Sequence, residues 1–538
     1  MARRQLTPVS PPSILDKSEV RAILATAPAF SAFAAPDMQI PVIDIFAGPG
    51  GLGEGFSAYM PSDATQQPPF RIAISAEMEA NAARTLRLRA FFRQFPVGQA
   101  PLSYYNYVAG RAAEPWTEST KAEWLAAGEE ARQLTLGVAS DDAFLHERIC
   151  RVAKRDEPWV LIGGPPCQAY SLVGRSRNIG KLGYKAEDDH RHFLYTHYLK
   201  ILRDFQPAAF VMENVKGILS SKVGGELMFP RILEDLHRPG GKKGPTYQIV
   251  PLVVSESTKE ANGSDFVLRA EELGVPQARH RVVLLGLIEG INVSSGKRLT
   301  PMKERFSVAE VIGGMPRLRS GVTDQKVGPW SEFAQCIFEK VAQSTDDEAV
   351  ANRLKKLAKA TKKKDPGTGG RWTSSLVEHN SVPEHLRSWL IDPRLLGFLN
   401  HEVREHMSAD LERYAFASTF AEVHGHSPRG SREFPSALYP KHKNWESGKF
   451  VDRFKVQLSG KPSSTVTSHL SKDGHYFIHH DPSQLRSLSV REAARLQTFP
   501  DNYFFEGSRG AQFRQVGNAV PPWMAQQIAG VVHSYLRR

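Results

Sequence analysis

A cysteine stands on a glycine- and proline-rich turn directly after an apolar run, where Trp159-Val160-Leu161-Ile162 leads into Gly163-Gly164-Pro165-Pro166-Cys167-Gln168-Ala169-Tyr170-Ser171. The run reads as a buried parallel strand, and in an open α/β sheet reacting groups collect just beyond the carboxyl ends of the strands. Cys167 is therefore displayed where a nucleophile would work. A free cysteine without context is most often a small buried hydrophobe, so the context decides. Phe210-Val211-Met212-Glu213-Asn214-Val215-Lys216-Gly217 sets a carboxyl and an amide at the end of a second apolar strand. Gln277-Ala278-Arg279-His280-Arg281 precedes a third, Val282-Val283-Leu284-Leu285-Gly286, and strand alternation points Arg279 and Arg281 the same way. Singly, a strand-end glutamate is more often a solvated or paired carboxylate and paired arginines are more often surface charge. Together they supply a nucleophile, a proton donor and stabilisers of developing negative charge.

These groups need a frame. Ile43-Asp44-Ile45-Phe46-Ala47-Gly48-Pro49-Gly50-Gly51-Leu52-Gly53 runs from a strand through glycines into a helical pattern, Glu54 to Met60. Glycines at such a turn let the backbone approach a bound cofactor, and an acid at the end of the next strand can hold ribose hydroxyls. Glu77, after Ile72-Ala73-Ile74-Ser75-Ala76, is placed for that. Gly48, Gly50 and Gly53 also satisfy a dinucleotide-binding GxGxxG, so a nicotinamide or flavin oxidoreductase competes on this motif alone; the cysteine, glutamate and arginine segments weigh against it. Near the C-terminus, Gln515-Val516-Gly517-Asn518-Ala519-Val520-Pro521-Pro522 leads into a final amphipathic helix. Residues 39–290 alternate strands and helices, which predicts a doubly wound sheet.

With these segments in this order, the chain resembles the DNA cytosine-5 methyltransferases that use S-adenosylmethionine. The likeness runs from Pro41 to the end and includes Arg191-His192-Phe193-Leu194-Tyr195 and Arg491-Glu492-Ala493-Ala494-Arg495-Leu496-Gln497-Thr498-Phe499-Pro500-Asp501. It implies an α/β fold, a doubly wound Rossmann-like methyltransferase sheet with a second, smaller, irregular target recognition domain. The implied division is an N-terminal extension (1–38, with a short helix around Lys17 to Ala25), a catalytic domain (39–290), a recognition domain (291–509) and a C-terminal helix returning to the catalytic domain (510–538).

The chemistry explains why these residue types belong together. Cytosine C5 is too poor a nucleophile to take a methyl group from a sulfonium until ring aromaticity is broken, and a thiolate adding at C6 breaks it. Cys167 would attack C6, and Glu213 would donate to N3. Arg281, with Arg279 beside it, would bind O2 and favour the thiolate. The enamine takes the methyl; loss of the C5 proton, to a base the sequence does not identify, and thiolate elimination follow. The target base must leave the helix, and the loop from Gln168 to about Lys185 would close over the DNA. For the cofactor, the resemblance assigns Phe46 to the adenine, Gly48, Gly50, Gly51 and Leu52 to the methionine side, Glu77 to the ribose and Asn518 to the amino-acid end, with Ala47, Pro166, Leu194 and Val520 completing the pocket. One departure is the family's aspartate near the adenine amino group: residues 87–150 are longer than the compact form needs, and Asp141 or Asp142 is the nearest guess.

Composition agrees with a nucleic-acid enzyme. Of 538 residues, Lys and Arg number 69 against 57 Asp and Glu, a net charge of +12, and a positive field favours phosphates. The excess clusters at Arg353 to Lys364, which reads equally as a solvated helix face. Between about 290 and 485 the motifs stop. Helical patterns at Pro383 to Phe398 and His401 to Glu422 precede a loop-rich stretch where Arg429, Arg432, Lys441, Lys443 and Arg453 alternate with Phe434, Tyr439 and Trp445, candidates for major-groove contacts. Three cysteines, Cys150, Cys167 and Cys336, suggest neither a disulfide framework nor a zinc site. His401 and His406 are five apart and would not share a helix face, while His479 and His480 would point opposite ways in a strand, so no metal is expected. No apolar stretch is long enough for a membrane span, and no secretory signal is apparent; a reducing cytoplasm fits. The implied partners are double-stranded DNA and a restriction endonuclease acting on the same site, with the chain a monomer. An RNA substrate is the alternative within the chemistry, against which the long recognition region speaks. A DNA-binding protein without catalysis is the alternative outside it, against which the intact Cys167, Glu213, Arg279 and Arg281 speak.

Overall fold

The computed structural model describes residues 38–62, 67–153, 157–166, 190–223, 225–253, 262–294, 296–375, 381–441, 445 and 453–537. The expected short helix at Lys17 to Ala25, Cys167 and the loop after it, and Lys443 lie outside these.

Strands β1 (Ile40–Ile45), β2 (Phe70–Glu77), β3 (Ala131–Gln133), β4 (Val160–Gly163) and β5 (Ala209–Val215) form the parallel part of one sheet. Every residue of β1 and β4 is buried, as apolar runs covered on both faces require. Strands β6 (Tyr247–Val250), β7 (Val267–Arg269) and β8 (His280–Ile288) complete it, with β8 antiparallel to its neighbours. The order is β3-β2-β1-β4-β5-β8-β6, with β7 also on β8. From β1 the chain winds outward to β3, then returns to β4 and winds the other way. This is the doubly wound sheet expected, and its switch point lies between the carboxyl ends of β1 and β4.

Helix α1 (Gly51–Ser57) starts three residues before the expected pattern, because Gly50, at φ 94°, supplies the left-handed turn that ends the loop. Next come α2 (Ala80–Arg93), α3 (Leu102–Val108), α4 (Lys121–Glu130), α5 (Ala139–Val152), α6 (His190–Phe205) and α7 (Met228–His237). Asp141 and Asp142 sit in the first turn of α5, where their carboxylates accept from the Thr135 and Gly137 amides at 2.8 and 3.0 Å.

Beyond the sheet lie α8 (Val308–Ile312), α9 (Trp330–Gln343), α10 (Glu348–Ala360), β9 (Gly369–Ser374), α11 (Glu384–Leu390), β10 (Gly397–Glu402), α12 (Ser408–His424), α13 (Val490–Leu496), α14 (Arg509–Asn518) and α15 (Pro522–Leu536). The helix expected from Pro383 to Phe398 stops at Leu390, because Pro393 disfavours helix in the residue before it. Phe398 and His401 instead belong to β10, antiparallel to β9. Helices α9, α10 and α12 make a bundle with its own core. Phe434 and Trp445, expected at a DNA surface, are buried in that core with Phe454, ring centroids 5.5–5.9 Å apart; aromatic spacing in a loop does not reveal whether the loop roofs a bundle or faces solvent. His479 and His480 do not point apart. They lie outside any strand, and their rings stack at 4.3 Å. A separate buried cluster joins Phe306 and Leu386 to Val490, Phe513 and Val516, so it runs across residue 509 into α14. Lys355, Lys356 and Lys359 are exposed on α10, while Arg353 pairs with Glu422 at 2.9 Å.

His401 and His406 are both structural. His401 is buried against Ser489 Oγ and the Pro316 carbonyl, each at 2.9 Å, and burial lowers its pKa to about 4. The unfolded chain therefore binds a proton between pH 6.5 and 4 that the folded chain refuses, and stability falls as pH falls through that window, by ~3 kcal/mol for this residue. Urea midpoints at pH 7 and pH 5 should show that loss, smaller in His401→Gln; equal pH slopes for the two proteins would refute it.

Candidate active site at the carboxyl ends of β1, β4 and β5

The loop leaving β1 turns sharply. Phe46 and Gly48 take positive φ, 55° and 57°, and the Gly48 amide donates to Glu77 Oε2 at 2.9 Å while Glu79 donates to Glu77 Oε1 at 2.8 Å. Burial raises the Glu77 pKa, and each carboxylate oxygen retains a lone pair for a further donor. A Cβ on Gly48 would meet nothing within 4 Å, so space is open over the loop, whereas a Cβ on Gly51 would lie 2.1 Å from the Val520 carbonyl. Phe46, Ala47, Gly48, Gly50, Gly51, Leu52, Glu77 and Val520, more than 400 residues apart at the extremes, therefore form one region. Asn518 is exposed at the last position of α14, two residues from Val520. Leu194 is buried in the sheet core at the start of α6, and Pro166 is half-buried at the end of the β4 turn.

At β4, Gly163 is forced: a Cβ there would lie 2.3 Å from the Ile45 carbonyl. Gly164 brings the turn against β5, where its Cβ would be 3.0 Å from Glu213 Oε2. Asn214 Nδ2 donates to the Pro165 carbonyl at 3.1 Å, holding the turn two residues before Cys167. Antiparallel pairing of β8 with β5 sets Arg281 opposite Val215, and Arg281 Nε reaches Glu213 Oε1 at 2.8 Å. A carboxyl and a guanidinium thus stand together where the cysteine turn leaves the sheet.

Arg279 does something else. It is 1 % exposed, and its guanidinium donates to the carbonyls of Val466 at 2.7 Å and Gly517 at 3.4 Å. Burial, with repulsion from Arg281, lowers its pKa. It ties the entry to β8 to the segment before α13 and to the residue preceding Asn518, and its hydrogen bonds go to main chain and not to an open pocket.

The C-5 cytosine-specific DNA methylase family matches residues 147–534, nearly three quarters of the chain. The chain belongs to this family. The type II methyltransferase M.Bpa9945I of Bacillus paralicheniformis is 31% identical over 515 residues, covering 91% of this chain and 98% of that one. M.AgeI of Thalassovita gelatinovora is 28% identical over 399 residues, 69% and 82% of the two chains. The DNA (cytosine-5-)-methyltransferase M.ApeKI of Aeropyrum pernix is 28% identical over 529 residues, 90% and 97%. Among the described residues no cluster could hold a metal ion and no helix is long and apolar enough to cross a membrane.

Three further residues of this cytosine-5 methylase belong to the region. Asp44 sits in β1 beneath the loop, and burial pushes its pKa to about 8; an acid inside Ile43-Asp44-Ile45 was the available signal. Met78, 60 % exposed directly after Glu77, presents an apolar side chain at the edge of the region. Tyr503 donates its hydroxyl to the Pro49 carbonyl in the loop itself, and nothing local announced it. The Gly51 contact gives a prediction: Gly51→Ala drives a methyl into the Val520 backbone and should cost ~1–3 kcal/mol with weakened cofactor binding. An unchanged thermal midpoint would show that the α14–α15 junction does not press on the loop.

Proposed function

We propose that this methyltransferase moves a methyl group from S-adenosylmethionine to C5 of a cytosine flipped out of a specific double-stranded DNA sequence, through a covalent Cys167–C6 adduct. The observation that carries the reading is the Glu213–Arg281 pair, 2.8 Å apart beside the Gly164-Pro165 turn. A cytosine entering there would meet a carboxyl for N3 and a guanidinium for O2, with the thiol two residues past the Asn214-held carbonyl. The region at β1 suits the cofactor: open space above Gly48, an acid with spare acceptor capacity, and Phe46 and Met78 as apolar neighbours. When bound, the cofactor supplies an electrophilic methyl on a sulfonium.

The protein residues do the rest. The Cys167 thiolate forms the bond to C6, the Glu213 proton goes to N3, and Arg281 holds O2 as charge builds there. Methyl transfer gives the C5-methylated adduct; removal of the C5 proton by a base returns the electron pair that expels the thiolate, and N3 gives its proton back to Glu213. Arg279 supports this by fixing the Arg281 strand against Gly517. The basic balance of the chain and the names of the type II relatives support a protective role beside a cytoplasmic restriction endonuclease of the same specificity.

Bisulfite sequencing of plasmid recovered from expressing cells, with Cys167→Ala as control, tests this. Protected cytosines in one recurring context, absent in the control, are expected. Protection confined to RNA would replace the DNA reading, and protection persisting in the control would remove Cys167 from the reaction.

A further inference from the structure

The end of α10 and the segment just past it, Lys355-Lys356-Leu357-Ala358-Lys359-Ala360-Thr361-Lys362-Lys363-Lys364, hold six lysines in ten residues, and no acid occurs between Glu348 and Asp365. All six lysines are exposed, while Val350, Leu354, Leu357 and Ala358 turn the other face of α10 into the bundle. Neighbouring cations are matched to acids. Arg353 meets Glu422 at 2.9 Å, Arg413 meets Asp410 at 2.8 Å, and Arg319 meets Asp365 at 2.8 Å. Among the described residues none of the six lysines has a carboxylate within ion-pair distance.

This arrangement works against the helix. Lys355 and Lys356 stand four and three residues before Lys359, spacings at which like charges weaken a helix. A helix C-terminus favours a cation only within its last turn, which accounts for Lys359 but not for Lys355 and Lys356, nor for Lys362, Lys363 and Lys364 beyond the helix end. A polyanion laid along the strip would turn the repulsion into attraction.

The residue types select which polyanion. Lysine is a compact point charge without the planar fork that clasps one carboxylate or a base edge, so a row of lysines suits a regular row of anions. The strip has no aromatic on which an unpaired base could stack. Its leucines are turned inward, so it offers a lipid surface nothing to insert. The evenly spaced phosphates of a duplex fit it: the strip runs at most about 20 Å, alongside about six base pairs.

We propose that this strip is a second seat for DNA, holding the phosphate backbone of duplex outside the recognition sequence whatever its base order. The inference rests on the DNA reading of the substrate. Phosphate contacts position a duplex without carrying sequence information, so affinity should grow with duplex length as well as with the target.

The test is fluorescence anisotropy of the full chain with three duplexes sharing the sequence found by bisulfite mapping. One ends close to the target on both sides, and the others extend about two helical turns to one side or the other. At low salt the wild type should bind one extended duplex about 10- to 100-fold more tightly than the short one, with a salt slope steeper by about 3, the mark of roughly three or four further phosphates. Lys355→Gln, Lys356→Gln, Lys359→Gln, Lys362→Gln, Lys363→Gln and Lys364→Gln together should remove the gain and the added slope. Arginine at the same six positions should keep both, and methylation of the short duplex should be unchanged in either variant. A wild type that binds the short duplex without gain on either side, or a gain that survives the six glutamines, would overturn the seat alone. So would capture of anionic lipid vesicles, lost with the six glutamines, in place of any gain from longer DNA. A wild type that binds none of the three duplexes would overturn the DNA reading and the seat with it.

Discussion

Glu213→Gln should slow methyl transfer by about 10²–10⁴-fold, an activation cost of ~3–5 kcal/mol. The amide keeps the shape of the carboxyl and can donate a hydrogen bond to N3, but it cannot deliver the proton that attack at C6 requires. It still faces Arg281 with a side chain of the same size, so DNA binding should change far less than turnover. Single-turnover transfer of labelled methyl at saturating DNA measures the chemical step directly. A duplex with 5-fluorocytosine at the target separates the stages, because fluorine cannot leave as the C5 proton does and the thiolate stays attached. Wild type should accumulate the covalent adduct, Glu213→Gln should form it slowly, and Cys167→Ala should not form it. A Glu213→Gln rate within tenfold of wild type would mean that N3 is not protonated by this carboxyl.

The largest effect on stability should come from Glu492→Ala. Glu492 and Arg486 are each about 1 % exposed and joined twice, at 2.6 and 2.7 Å. The same carboxylate accepts from the Ser489 amide at 2.8 Å to cap α13. Arg486 holds its pKa well below the usual carboxylate range. Removing it leaves a buried guanidinium without its counter-charge, a loss of ~3–5 kcal/mol out of a typical total near 5–15 kcal/mol. Because the folded pKa is depressed, the stabilisation is present above the unfolded glutamate range and is lost as pH falls below it toward the folded value. Denaturant unfolding at pH 7 measures the loss. The double variant Arg486→Met, Glu492→Leu should recover part of it, since an apolar pair strands no charge. A single-variant loss below ~1 kcal/mol would show that Arg486 finds another partner, with Gln484 Oε1 at 2.7 Å the nearest candidate.

What was legible in the sequence was what local chemistry dictates. Apolar runs ending in Gly163-Gly164-Pro165 and Phe46-Ala47-Gly48 have few conformations open to them, and their order along the chain was enough to predict a doubly wound sheet and to suggest the cytosine-5 methylase family. Helix 383–398 failed because apolar periodicity ran on through Pro393 into what became β10. Other assignments depended on partners distant in the chain. Alternation aligned Arg279 with Arg281 but could not reveal that Arg279 would meet Val466 and Gly517 while Arg281 met Glu213. Phe434 and Trp445 had the composition of a nucleic-acid surface and became bundle core, because α12 needed a roof. Tyr503 had no local signature, since its meaning lies in a carbonyl 454 residues away. The sequence by itself determined which groups could react and the strand ends that present them, because turns and strand patterns are set over a few residues. Only the tertiary structure decided which charges pair, which aromatics are covered and how the cofactor loop is held, because burial and partner choice depend on segments that meet after folding.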